Sequence, residues 1–184
     1  MSKLNVLYED NHVIVVEKPI NVLSQGDATG DKDLLTMVKE YVKIKYNKPG
    51  NVYIGLVHRL DRPVGGVMVF ARSSKAASRL NKEQLEHGFS KKYLAVVNGI
   101  LKENLSTKHS LVSVKLVTGR HHQIRVQFAS RGHALCGDQR YGKQDNTQLA
   151  LFAYELSFTH PISKEKMTFK LDMPKGDYWT DFTM

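Results

Sequence analysis

The 184-residue sequence predicts an α+β fold built on a mixed β-sheet. Three observations carry this expectation. Short apolar runs rich in β-branched residues outnumber the stretches with helical spacing. Strands and helices do not follow the strict strand–helix–strand alternation of a parallel doubly wound sheet. No internal repeat or low-complexity linker divides the chain, so a single domain over 1–184 is expected.

Leu4 to Tyr8 and His12 to Glu17 read as two strands about a turn at Asp10-Asn11, and Val13 to Val16 is wholly β-branched, as suits a buried strand. Lys18-Pro19 ends the second strand, and Gly26 to Asp31 is a polar loop. Asp33 is placed to cap a helix carrying Leu34, Leu35, Val38, Tyr41 and Val42 at helical spacing, which Pro49 and Gly50 terminate. Val67 to Ala71 is an apolar strand. Ser74 to Glu86 reads as a helix with Ala77, Leu80 and Leu85 inward and Gly88 as its stop. Lys92 to Val97 and Leu111 to Val117 are strands, the second alternating Val112, Val114 and Leu116 with Ser113 and Lys115. His122 to Ser130 fits either period. Leu149 to Phe158 and Met167 to Leu171 are strands about a turn at His160-Pro161.

Lys and Arg number 27 against 18 Asp and Glu, a net charge of +9 that favours an anionic partner, of which nucleic acid is the commonest. The single cysteine, Cys136, excludes an intrachain disulfide and fits a reducing compartment; beside a glycine it is most simply a small core residue. No apolar run approaches the roughly 18 residues of a membrane helix, and the N-terminus lacks the apolar stretch of a signal peptide. A cytoplasmic protein without a membrane association is expected.

Chemistry-bearing residues concentrate in two segments. Leu56 to Gly66 sets Asp61 beside Arg59 and Arg62 and ahead of Pro63, Gly65 and Gly66, a loop composition in which an ionised carboxylate is held among cations and can serve as nucleophile or base. Thr118 to Arg125 carries Arg120, His121, His122, Gln123 and Arg125, all able to bond phosphate or base edges. Arg125 could clamp a carboxylate with its fork. Lys91-Lys92 precede Tyr93, a ring suited either to stacking on a base or to packing in a core. His121, His122 and His133 lack the thiols of a structural zinc site, so no metal is expected. Gly137 to Gly142 reads as a tight turn, and its Asp138 is a weak second carboxylate.

Taken together these segments resemble the RluA family of pseudouridine synthases. The segment HRLDRPVGGVMVFAR (His58 to Arg72) matches the family's central motif, and EDNHVIVVEKP, KKYLAVVNG, TGRHHQIRV, GDQRYG and LFAYELSFTHP follow in the family's order. The resemblance implies a largely antiparallel mixed sheet with flanking helices and loops, and isomerisation of uridine in ribosomal or transfer RNA to pseudouridine. It implies no cofactor and no obligate protein partner, and it leans toward a monomer. It also implies Asp61 as catalytic carboxylate, Arg125 as its ion-pair partner, and Tyr93 as the ring on the uracil, able to take a proton if its pKa is lowered. His58, Arg59, Gln123 and Ile124 would bind substrate. Two departures stand out. Val64-Gly65 replaces the family's usual Thr-Ser, so the loop must be held otherwise, with Pro63 the candidate. The stretch from Gly99 to Leu111 is short, and the catalytic pattern begins almost at Met1, which leaves no room for an S4-type RNA-binding module.

Overall fold

The computed structural model describes residues 4–99 and 108–182. The short stretch after Gly99 that departs from the family pattern lies largely outside the described residues. Eight strands, three α-helices and a C-terminal 3-10 helix follow in order: β1 (Asn5–Glu9), β2 (Val13–Lys18), α1 (Leu34–Lys45), β3 (Gly55–Leu56), β4 (Gly65–Ala71), α2 (Ser74–Leu85), β5 (Ser90–Asn98), β6 (His109–Leu116), α3 (Gln123–Ala129), β7 (Leu151–Thr159), β8 (Lys166–Lys170) and the 3-10 turn Asp177–Phe182.

One sheet runs β1-β2-β4-β7-β5-β6, with β3 on β4 and β8 on β7. Every pairing is antiparallel except β4 with β7, a short parallel contact that joins Gly65 to Phe152 and Gly66 to Ala153. The sheet is thus mixed and largely antiparallel, as expected. The glycine pair read as loop is the start of β4. Gly66 has φ 131°, and a Cβ there would collide with the Ala153 carbonyl, so only glycine lets the two halves of the sheet meet.

Both faces are covered. Ile14 and Val16 of β2 join a cluster with Leu34, Val38 and Val42 of α1, while Val13 and Val15 join Ala76, Ala77 and Leu80 of α2. That explains the unbroken Val13–Val16 run, in which each residue is fully buried.

The helix caps are local. Asp33 Oδ1 accepts the Thr36 N–H at 3.0 Å, and Ser73 Oγ accepts that of Ala76 at 3.2 Å. α2 ends through His87 in the left-handed region (φ 58°), one residue before the glycine expected to stop it. Leu85, expected inward, is 80% exposed. Five residues beyond Leu80 it lies roughly 140° round the helix at about 100° per residue, off the buried stripe. α3 resolves the ambiguous segment as a helix: Ile124 is buried and Phe128, four residues on, packs against the same cluster, whereas Val126 is 42% exposed, which strand alternation forbids. Among the described residues no helix is long and apolar enough to cross a membrane.

Candidate active site

The loop from Val57 to Val64 is tied down one carbonyl at a time. Leu60 O accepts Ser24 Oγ–H at 2.7 Å, and the same hydroxyl accepts the Leu60 N–H at 3.0 Å. Asp61 O accepts Val64 N–H at 3.0 Å. Arg62 O accepts Lys18 Nζ at 3.0 Å, and Pro63 O accepts Gln148 Nε2 at 2.7 Å. Satisfied carbonyls hold a loop in one conformation because each broken bond would leave a buried acceptor unpaired. With Val64-Gly65 offering no hydroxyl, the loop is held by Lys18, Ser24 and Gln148 from elsewhere in the chain. Lys18 is fully buried, and its ammonium meets only the carbonyls of Pro19 and Arg62 among the described residues. Burial lowers its pKa to about 8, with Asp61 opposing the shift and Arg62 adding to it.

Asp61 stands on this loop with its side chain 29% exposed, in a cleft of about 560 Å³. The cations adjacent in sequence are not its partners. Arg62 pairs with Asp31 at 2.7 Å, and Arg59 lines the cleft with no ion pair among the described residues. Asp61 Oδ2 instead meets His122 Nε2 at 3.3 Å and Arg125 Nη1 at 3.7 Å. The close partner of Arg125 is Asp138, through Nε to Oδ2 at 2.8 Å and Nη2 to Oδ1 at 2.7 Å. The expected Asp61–Arg125 pair is present, and a second partner joins it: Arg125 is gripped on one side by a buried carboxylate and offers its remaining nitrogen to Asp61. Asp138 also accepts the backbone N–H groups of Arg140 and Tyr141, each at 3.0 Å. Burial alone would raise the Asp138 pKa, but these bonds and the guanidinium hold it below its ordinary value.

His122 bridges Asp61 to Tyr141, whose hydroxyl lies 3.0 Å from Nδ1. Burial lowers the His122 pKa against the pull of Asp61, with Arg125, His121 and Arg140 adding to the lowering. A neutral imidazole has one donor and one acceptor, and a carboxylate only accepts. The tautomer that suits both contacts carries its proton on Nε2 toward Asp61 and accepts from Tyr141.

Tyr93 is 7% exposed and lines the cleft. Burial first, and the Asp61 charge second, raise its pKa. Both effects run against the lowered phenol pKa that a proton-accepting role would require. His58 is buried, with Nε2 accepting the Val69 N–H at 3.2 Å and its ring edge-on to Phe89, so it anchors the loop to β4 and leaves only a buried Nδ1 unpartnered. Gln123 turns its Oε1 back to Thr118 Oγ1 (2.8 Å) and Arg120 N (3.1 Å), closing the turn before α3, while Ile124 is buried and walls the cleft. Lys18, Ser24, Gln148 and Tyr141 carried no sequence signal for these parts; His122 was visible only as a member of the Thr118–Arg125 cluster, and Asp138 only as a carboxylate in a turn.

Asp61, His121 and His122 bring possible metal-ligating atoms within 4.8 Å of one another, and His133 lies apart, against Asn98 O. The two imidazoles stack face to face at 3.7 Å and Arg125 shares the carboxylate. Stacked rings point their lone pairs side by side rather than at one centre, so the set suits a proton network better than an ion.

The site thus sets a part-exposed carboxylate in a cleft that Arg59, Lys91 and Arg120 also line. A family model described as RNA pseudouridylate synthase matches residues 12–108, and the chain belongs to that family. An uncharacterized RNA pseudouridine synthase of Aquifex aeolicus is 30% identical over 94% of this chain and 70% of its own length. Ribosomal large subunit pseudouridine synthase C of Buchnera aphidicola is 30% identical over 89% of this chain. The chain spans 65% of that relative's length, and 59% of a Neisseria meningitidis synthase D. The solved structure of human RNA pseudouridylate synthase domain containing 4 superposes with a TM-score of 0.76 at 17% identity, covering 93% of this chain and 89% of that one, and shows the shared fold.

Proposed function

We propose that the protein is an RNA pseudouridine synthase that isomerises uridines of ribosomal RNA, with transfer RNA as the second pool to examine, and that it works as a cytoplasmic monomer. The observation that carries this is Asp61: a part-exposed carboxylate in a basic cleft, on a loop whose four successive carbonyls from Leu60 to Pro63 are each engaged. The reaction breaks the bond between the sugar C1′ and uracil N1, turns the ring, joins C1′ to C5 and releases the C5 proton. A uridine must first leave its stack, at about a few kcal/mol. Arg59, Arg120 and Lys91 at the cleft can offset this on the phosphates.

Asp61 acts as nucleophile or as stabiliser of the sugar cation, with attack on the ring and proton abstraction from C2′ as the other routes open to it. Arg125, aimed by Asp138, and His122 Nε2 face its Oδ2 and orient it toward the substrate. Tyr93 packs its ring on the uracil and presents its hydroxyl to the moving protons. His58, Gln123 and Ile124 act on the substrate through the walls they hold in place. Relatives named as ribosomal large subunit synthases favour ribosomal RNA. The test is tritium release from ribosomal and transfer RNA labelled at uridine C5. Wild type is expected to release tritium and Asp61→Asn to release none while still binding RNA. Binding without release by both proteins would reduce the chain to an RNA-binding module.

A further inference from the structure

Two of the large apolar side chains exposed on this molecule share the mouth of the Asp61 cleft. Leu85 is 80% exposed and Val117 78%, and both line it. Leu85 is the last residue of α2, and Val117 follows the last residue of β6. Their segments are tied together at Lys91, which donates to Gln84, the neighbour of Leu85, and pairs with Leu116, the neighbour of Val117. Nothing in the fold requires an aliphatic at either place: Leu85 lies off the stripe formed by Ala76, Ala77 and Leu80, and Val117 lies beyond the alternating part of β6.

The surroundings are cationic. Lys91 Nζ donates to Gln84 Oε1 at 3.3 Å and stands 5.6 Å over the Phe89 ring, and among the described residues Lys91, Arg59 and Arg120 have no ion pair; all line the same cleft. A partner matched to this rim presents apolar faces within a polyanion, which is the description of stacked nucleotides. A protein partner with an acidic rim would fit the charges but would compete with the cleft's own ligand. Continuity with the cleft therefore favours the RNA that enters it.

We propose that Leu85 and Val117 form an apolar shelf on which the base next to the extruded uridine packs. When a uridine leaves a stack, its neighbour exposes one π-face to water, and an aliphatic wedge that covers this face lowers the cost of extrusion. The shelf therefore matters for uridines in stacked, folded RNA and much less for unpaired ones, which makes it a determinant of substrate class. The inference rests on the reading of the cleft as the seat of an extruded uridine.

Leu85→Ser and Val117→Ser test it, singly and together, at positions whose exposure leaves the core intact; unchanged melting confirms that. Tritium release is measured on a folded large-subunit ribosomal RNA transcript and on a short unpaired RNA copying the modified site. A loss of kcat/KM at least roughly fivefold larger on the folded RNA is expected, from an unstacking cost of a few kcal/mol only partly offset by the shelf. Equal losses on both RNAs, or none, would overturn the proposal. A second readout needs no turnover: in the Asp61→Asn background, a hairpin with 2-aminopurine beside a loop uridine should change its emission on binding, and the double serine variant should lose that change. If wild type releases no tritium, the activity reading fails by itself, and a 2-aminopurine response that survives in the double variant would overturn the shelf.

Discussion

Removing Asp138 should damage both the fold and the reaction, and the two losses can be separated. Asp138 is 1% exposed and Arg125 6%. Asp138→Ala deletes both prongs of their bidentate pair and leaves a buried guanidinium with only the more distant Asp61 as counter-charge, at a cost of about 3–5 kcal/mol. The Arg140 and Tyr141 N–H groups also lose their acceptor. In a chain of this size 1 kcal/mol moves Tm by roughly 2–4 °C, so a fall of roughly 6–20 °C is expected by calorimetry or urea titration. Arg125 Nη1, now 3.7 Å from Asp61, is no longer aimed. A misplacement on the order of 1 Å costs about 100-fold in turnover. Replacing both partners, Asp138→Ala with Arg125→Met, removes the buried charge and should recover most of the stability but none of the activity. Because the folded pKa of Asp138 is lowered, its stabilisation is present above its ordinary value of 3.8 and is lost as pH falls through the folded value. An Asp138→Ala protein that melts within about 2 °C of wild type and keeps its turnover would refute the idea that this pair orients the site.

His58 is held neutral well below its ordinary 6.5, by burial and then by the Lys91 charge, so the unfolded chain takes up a proton that the fold refuses. Stability is full above pH 6.5 and falls below it by up to about 1.4 kcal/mol per pH unit; His58→Asn should flatten that slope in denaturation series from pH 5 to 7, and an unchanged slope would discount the role of burial. Tyr93→Phe should keep stability within about 1 kcal/mol yet lower turnover at least about tenfold, and full turnover would remove the hydroxyl from the proton chemistry. Gly66→Ala should cost more than about 3 kcal/mol or abolish soluble expression, because its Cβ meets the Ala153 backbone, whereas Gly30→Ala, also at positive φ but with open space around it, should cost only about 1 kcal/mol. RNA affinity should weaken with salt, and Arg120→Ala should reduce the log–log slope by roughly 0.7–0.9, as expected for one phosphate contact.

The fold was legible wherever a residue's role is set by its near neighbours. Val13–Val16, the Asp33 cap and the alternating Val112–Leu116 strand are local patterns, and the structure repeats them. β3 has only two residues, too few for any period to show, and the seven residues of α3 contain too few turns to separate helix from strand. Leu85 misled because an apolar residue near a helix end was counted with the core, although its angle to Leu80 could have been worked out from the spacing alone.

The site divides along the same line. Asp61, Tyr93 and Arg125 are legible because their segments carry dense, ordered motifs. What aims them is not, since Asp138, Lys18, Ser24 and Gln148 act through contacts with partners 13, 44, 36 and 85 residues away. The pairing pattern then gives the net charge of +9 a meaning that composition lacks. Arg125 is bound to Asp138 and Arg62 to Asp31, while Lys18 is spent on carbonyls. Arg59, Lys91 and Arg120 line the cleft with no carboxylate against them among the described residues. Cations that build the floor are neutralised or buried by the fold itself, and those at the mouth carry no carboxylate partner among the described residues, as the proposed phosphate contacts require. Three of the excess cations thus stand unpaired at the cleft among the described residues, and the carboxylate that lines the cleft with them, Asp61, is the group this loop is arranged to hold.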